Sequence, residues 1–125
     1  MENAPLPPIV HLPIRSTALT PYQVAVLQKF TDDVFTVMYE KYPHIIRQVA
    51  GRLRVNDFYD DHMEDSDHPD TIAVWAVHEC IREILPQLPP ITGDGLDDGM
   101  RSSIISGEVW RRVCAMYQFD LPEFK

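Results

Sequence analysis

The densest concentration of chemically capable side chains lies between Asp57 and Asp70. Seven acids fall in these fourteen residues, Asp57, Asp60, Asp61, Glu64, Asp65, Asp67 and Asp70, with no Lys or Arg among them. His62, His68, Phe58, Tyr59 and Met63 are interspersed. Three kinds of chemistry suit this composition. A solvated loop would use its last acids at a helix N-terminus and pair its first acids with Arg47, Arg52 and Arg54. A partner-binding surface would use the carboxylates to steer a basic protein and the aromatic rings to hold it. A metal site would draw on Asp60, Asp61, His62, Asp67 and His68.

The metal reading is the weakest of the three on spacing. A calcium loop starting at Asp65 would need Gly where Asp70 stands and Glu where Ala76 stands. Zinc needs four well-placed ligands, and His62 with His68 supply two. No metal and no cofactor are therefore expected.

Other constellations are weaker. Glu79 and Glu83 share a face with His78 and Arg82 nearby, an arrangement expected of a solvated helix surface. The register of Asp32 and Asp33, the remaining acidic pair, is open from sequence. Ser102, Ser103 and Ser106 follow a glycine-rich stretch without a G-x-S-x-G elbow. Cys80 is two residues from His78, an offset that points helical side chains apart. Thr92-Gly93-Asp94-Gly95 lacks the lysine and spacing of a phosphate loop. Arg101, Arg111 and Arg112, with Trp110 and Tyr117 close by, form a candidate basic patch on the last helix. No catalytic residue is assigned.

Charge limits the partners. The net charge is −8, and setting aside the seven clustered acids leaves 12 acids against 11 Lys and Arg. A nearly neutral body thus carries one strongly negative segment. Such a field repels phosphate backbones, so direct nucleic-acid binding is disfavoured. No apolar run approaches the roughly 20 residues of a membrane span. The start, Met1-Glu2-Asn3-Ala4-Pro5, lacks the basic and apolar regions of a leader, so the expected location is the cytoplasm, or a host cytoplasm if the source is viral. Cys80 and Cys114 fall within apolar helical patterns and are expected as buried free thiols.

The elements that must position these groups are helices. With 125 residues and 45% hydrophobic content, the chain can bury a core without disulfides or metal. Residues 1–19 hold Pro5, Pro7, Pro8 and Pro13 among apolar residues, which predicts an extended arm packed along the domain or against a partner. Residues 20–125 are expected to form one helical domain. Thr20, Pro21 and Gln23 make a capping box that starts a first helix running to about Lys41. Pro43 breaks it, and a second helix follows to about Leu53. A third starts near Asp70, with Val74, Val77, Ile81 and Ile84 as its stripe, widened by Trp75 and Leu85. Pro86 ends it, and residues 86–99 form a loop rich in Pro and Gly. Asp94, Asp97 and Asp98 are candidate caps for a fourth helix to about Phe119, with Gly107 as a point of division. The fold class is all-α, an irregular bundle of four main helical segments.

The expected function is a non-enzymatic interaction module, an inhibitor or adaptor presenting an acidic surface to a basic partner, in the sharpest form a nucleic-acid-binding one. In size and acidity alone the chain is similar to small helical immunity proteins and phage-encoded anti-defence inhibitors, with no residue motif tying it to either. The partner-binding set is Asp57, Phe58, Tyr59, Asp60, Asp61, Glu64, Asp65, Asp67 and Asp70. The alternatives are a small metal-binding helical enzyme using the acidic and histidine segment, and a homo-oligomeric assembly protein.

Overall fold

A computed structural model describes residues 6–15, 18–52, 69–89 and 93–117, with Pro69 and Asp70 as backbone only. The described residues form four α-helices: α1 (Pro21–Lys41), α2 (Pro43–Ala50), α3 (Pro69–Ile84) and α4 (Asp98–Met116). A short 3-10 turn, Leu85–Gln87, extends α3. No strand occurs among the described residues, and each helix touches the other three.

Local chemistry sets the helix ends. At Thr20 the hydroxyl accepts from the Gln23 N–H at 3.1 Å, and the Gln23 carboxamide accepts from the Thr20 N–H at 2.9 Å. Both donors would otherwise be orphaned at the helix start. The same Gln23 side chain donates to the Asp94 carbonyl at 2.8 Å, so the cap also docks the loop before α4. Tyr42, pressed by Pro43, takes φ −130° and separates α1 from α2. Asp97 caps α4 by accepting from the Met100 N–H at 2.8 Å.

The core is formed by fully buried residues from every helix, among them Val34, Phe35 and Met38, Ile46 and Val49, Val77, Ile81 and Ile84, and Ile105, Val109 and Val113. A second small cluster joins Ile14 of the arm, Leu27 of α1 and Leu96 of the loop before α4. The α3 stripe predicted from periodicity thus meets the apolar faces of the other three helices at one centre.

Three expectations need correction. The second helix ends at Ala50, not Leu53, so Arg52 lies beyond its C-cap Gly51. Gly107 does not divide the fourth helix, which is continuous through it. The 19-residue helix is held by packing on both sides of that residue, which overrides a local propensity cost of about 1 kcal/mol. Trp75 does not widen the α3 stripe but is 50% exposed. Ala73 and Val77 are both fully buried, and Trp75 is two residues from each, about 200° around the helix.

Candidate functional site

The acidic segment predicted as a partner surface is mostly outside the described residues. This applies to Asp57, Phe58, Tyr59, Asp60, Asp61, Glu64, Asp65 and Asp67, and also to Arg54, His62, Met63 and His68. Asp70 falls in the first turn of α3. What can be described is the helix face that begins there. Ile72, 47% exposed, and Trp75 lie one turn apart on the outer side of α3, followed by exposed Glu79, Arg82 and Glu83. The Trp75 ring packs against His78 at 5.7 Å between centroids. Two large apolar side chains in water on one helix face, next in sequence to seven acids, are a surface without an obvious internal role.

The basic patch expected on the fourth helix does not exist as a surface. Arg112 is fully buried, and the side chains of Arg111 and Arg101 are 11% and 15% exposed. Each is engaged with an acid and, in two cases, with the backbone of the arm. Arg112 pairs with Asp32 of α1 at 2.8 Å and donates to the Leu12 carbonyl at 2.7 Å. Its guanidinium lies 5.8 Å from the centre of the Phe35 ring. Its Nε is buried without an acceptor among the described residues. Arg111 pairs with the nearly buried Glu108 and donates to the Pro13 carbonyl at 3.3 Å. Glu108 in turn accepts from the Arg15 N–H at 3.2 Å.

These contacts fasten residues 6–15 across α1 and α4. Gln28 acts as a surrogate strand. Its carboxamide oxygen accepts from the Ile14 N–H at 2.9 Å and its nitrogen donates to the Leu12 carbonyl at 3.0 Å. Tyr39 donates its hydroxyl to the Pro7 carbonyl at 2.7 Å. An extended segment rich in proline has few internal hydrogen bonds, so its backbone groups must find partners elsewhere. Here α1 and α4 supply them. Asp32, whose register the sequence left open, therefore has a structural task, and Asp33 pairs with Lys29 at 2.9 Å. Neither joins Glu79 and Glu83 in a metal site. Among the described residues no group of three potential metal ligands comes together.

Asp94 and Arg101 close a further buried pair. The guanidinium Nε and terminal nitrogen reach the two carboxylate oxygens at 3.0 and 2.6 Å. This fork and the Leu96 N–H, at 3.1 Å, hold the Asp94 carboxyl below its ordinary range although burial opposes them. Gly93 and Gly95, with φ of 81° and 76°, allow the turn that carries Asp94 inward.

A cleft of about 650 Å³ opens between the C-terminal half of α3, the 3-10 turn and the first turn of α4. Phe30, Leu85, Leu88 and Pro89 give it apolar walls, and His78, Arg82 and Ser102 give it polar ones. Burial, aided by the adjacent Arg82 charge, keeps the His78 ring below its usual value. The thiols are not part of the cleft. Cys80 and Cys114 are free and buried, and burial with the nearby Glu83 charge pushes Cys80 up to about 11.

Sequence reasoning missed Gln28, Asp32 and Glu108 as arm anchors, and the cleft altogether. One signal was present for Arg112: Ile105, Val109, Arg112 and Met116 step by four, three and four, so that arginine sits on an inward stripe. A charge so placed requires a buried partner.

Comparison with known families, with curated proteins and with solved structures finds no match to this chain.

Proposed function

We propose that this protein is a non-enzymatic interaction module, an inhibitor or adaptor that meets a basic protein surface through the acidic segment 57–70 and the outer face of α3. The observation that carries this reading is the placement of Ile72 and Trp75 in solvent, immediately after the seven acids. Carboxylates accelerate encounter with a basic surface but contribute little affinity when they remain solvated. Aromatic anchors supply the affinity, and Trp is the side chain most enriched among interface hot spots. The internal use of Arg101, Arg111 and Arg112 supports the same reading, because the fourth helix then offers no cationic stripe to a nucleic acid.

A photo-crosslinking residue at position 72 in the full chain, expressed in its native host, tests this reading. The expected product is a protein with a basic surface. Its purified form should bind with an affinity that falls steeply between 50 and 300 mM salt, an order-of-magnitude span for charge steering. Trp75→Ala should weaken binding by about 30-fold, the size of a hot spot. Replacing Asp60, Asp61, Glu64 and Asp65 with their amides should flatten the salt dependence. Unchanged binding in both variants would end the proposal. A mass that doubles with concentration and returns to one chain in Trp75→Ala would place the face between two copies instead.

A further inference from the structure

The cleft between α3 and α4 has a composition that the interaction reading does not use. Its size falls within the range of small-molecule sites, roughly 300–1,000 Å³. Its walls combine apolar surface from Phe30, Leu85 and Leu88 with polar groups from His78, Arg82 and Ser102. Phe30 is 6% exposed, so one wall is part of the core itself and is rigidly held.

The charges in the cleft are unequal in availability. Arg101 lines it but is saturated by Asp94 behind and Asp98 in front. Asp98 also borders the cleft, with its side chain 97% exposed and 3.0 Å from Arg101, so one arginine faces two carboxylates and that rim keeps one solvated negative charge. Arg82 differs from every other described arginine in having neither an ion pair nor a hydrogen bond. It stands one turn from His78, so both nitrogen-bearing side chains approach the cleft from one helix edge. Across from them Ser102 offers a hydroxyl from α4, near the positive end of that helix.

We infer that this cleft binds a small amphipathic monoanion, a carboxylate or sulfonate, with its head group on Arg82, His78 and Ser102 and its apolar body against Phe30, Leu85 and Leu88. Arginine recognises such head groups through a planar pair of N–H donors, and no described residue occupies that donor set on Arg82. The apolar body replaces water along the α3 wall. The inference uses neither the acidic segment nor Ile72 and Trp75 as ligand contacts, although Arg82 lies on the same outer face of α3 and His78 packs against Trp75.

The test uses the full-length protein and a matched pair of fluorescent probes. Anilinonaphthalene sulfonate carries the anion, and N-phenyl-1-naphthylamine is its uncharged counterpart. The expected result is saturable one-site binding of the sulfonate, displaced by decanoate, with the neutral probe at least about tenfold weaker. The His78 ring resonances should shift on binding. Arg82→Gln, at an exposed position, should weaken the sulfonate at least about tenfold and leave the neutral probe unchanged. Ser102→Trp should fill the cleft and abolish both, with helical circular dichroism and the melting temperature confirming that each variant is folded. Non-saturable binding, equal affinity for the two probes, or an unaltered sulfonate affinity in Arg82→Gln would overturn the inference.

Discussion

Removing Asp32 should destabilise this protein more than removing the arginine it faces. Arg112 is completely withdrawn from water, whereas the Asp32 side chain is 37% exposed. In Asp32→Ala the guanidinium keeps the Leu12 carbonyl but loses its counter-charge. Stranding a buried charge costs about 3–5 kcal/mol, and the lower end applies because water can enter the space a half-exposed carboxylate leaves. We therefore expect a loss of about 3 kcal/mol for Asp32→Ala. Arg112→Met keeps the apolar stem against Phe35 and removes the desolvated cation. It forfeits one charge-assisted bond to Leu12, worth about 1.5 kcal/mol, and lets Asp32 hydrate. Its net cost should be near 1 kcal/mol once relief of the cation's desolvation is counted. The double variant should resemble Arg112→Met, leaving a coupling of about 3 kcal/mol between the two sites. Urea unfolding followed by far-ultraviolet circular dichroism measures all four states. With a urea slope of about 1–3 kcal/mol per molar, the two single variants should differ in midpoint by about 1 M. Additivity within about 0.5 kcal/mol, or a larger loss in Arg112→Met than in Asp32→Ala, would refute the assignment of Arg112 as a buried cation neutralised by Asp32.

Four further outcomes follow from the same geometry. Gln28→Leu orphans the Ile14 N–H and leaves the Leu12 carbonyl to Arg112, so it should cost about 1–3 kcal/mol and speed hydrogen exchange at Ile14. Gly107→Ala should stabilise by about 0.5–1 kcal/mol, since a β-carbon there meets nothing within 4 Å in a continuous helix, and thermal melting measures it. The Asp94 carboxyl is held below its unfolded value of 3.8, so its contribution is present above that pH and is lost as pH falls through the folded value. Asp94→Asn should therefore flatten the decline in stability below pH 4, which acid titration of the urea midpoint reads directly. The Cys80 thiol rises from 9.0 to about 11, so its neutral burial favours the fold below pH 9 and that contribution fades as pH rises toward 11. Both cysteines should resist a thiol reagent at pH 8 in the native protein and react fully in denaturant.

The fold was largely legible because its signals are local. The Thr20–Gln23 capping box, the Pro43 break and the helical spacing of Val77, Ile81 and Ile84 each rest on groups within a few residues of one another. Backbone donors at a helix start must be satisfied nearby, and apolar residues at intervals of three and four must share a face. The site was less legible because its contacts are distant in sequence. Arg112 and Leu12, or Glu108 and Arg15, meet only after the arm has crossed α1 and α4. Periodicity could place Arg112 on an inward stripe but could not name Asp32 as its partner.

What the sequence determined by itself is a four-helix body with a proline-rich arm and one negative segment, since period, caps and charge counts need no tertiary information. Only the tertiary structure decided which charges are spent internally. The three arginines of α4 are a basic patch in one dimension and internal fasteners in three, because a buried cation persists only beside an acid or a carbonyl brought there by packing. The same packing left Trp75 outside: with Ala73 and Val77 both turned to the core, the residue between them projects to the opposite side of the helix.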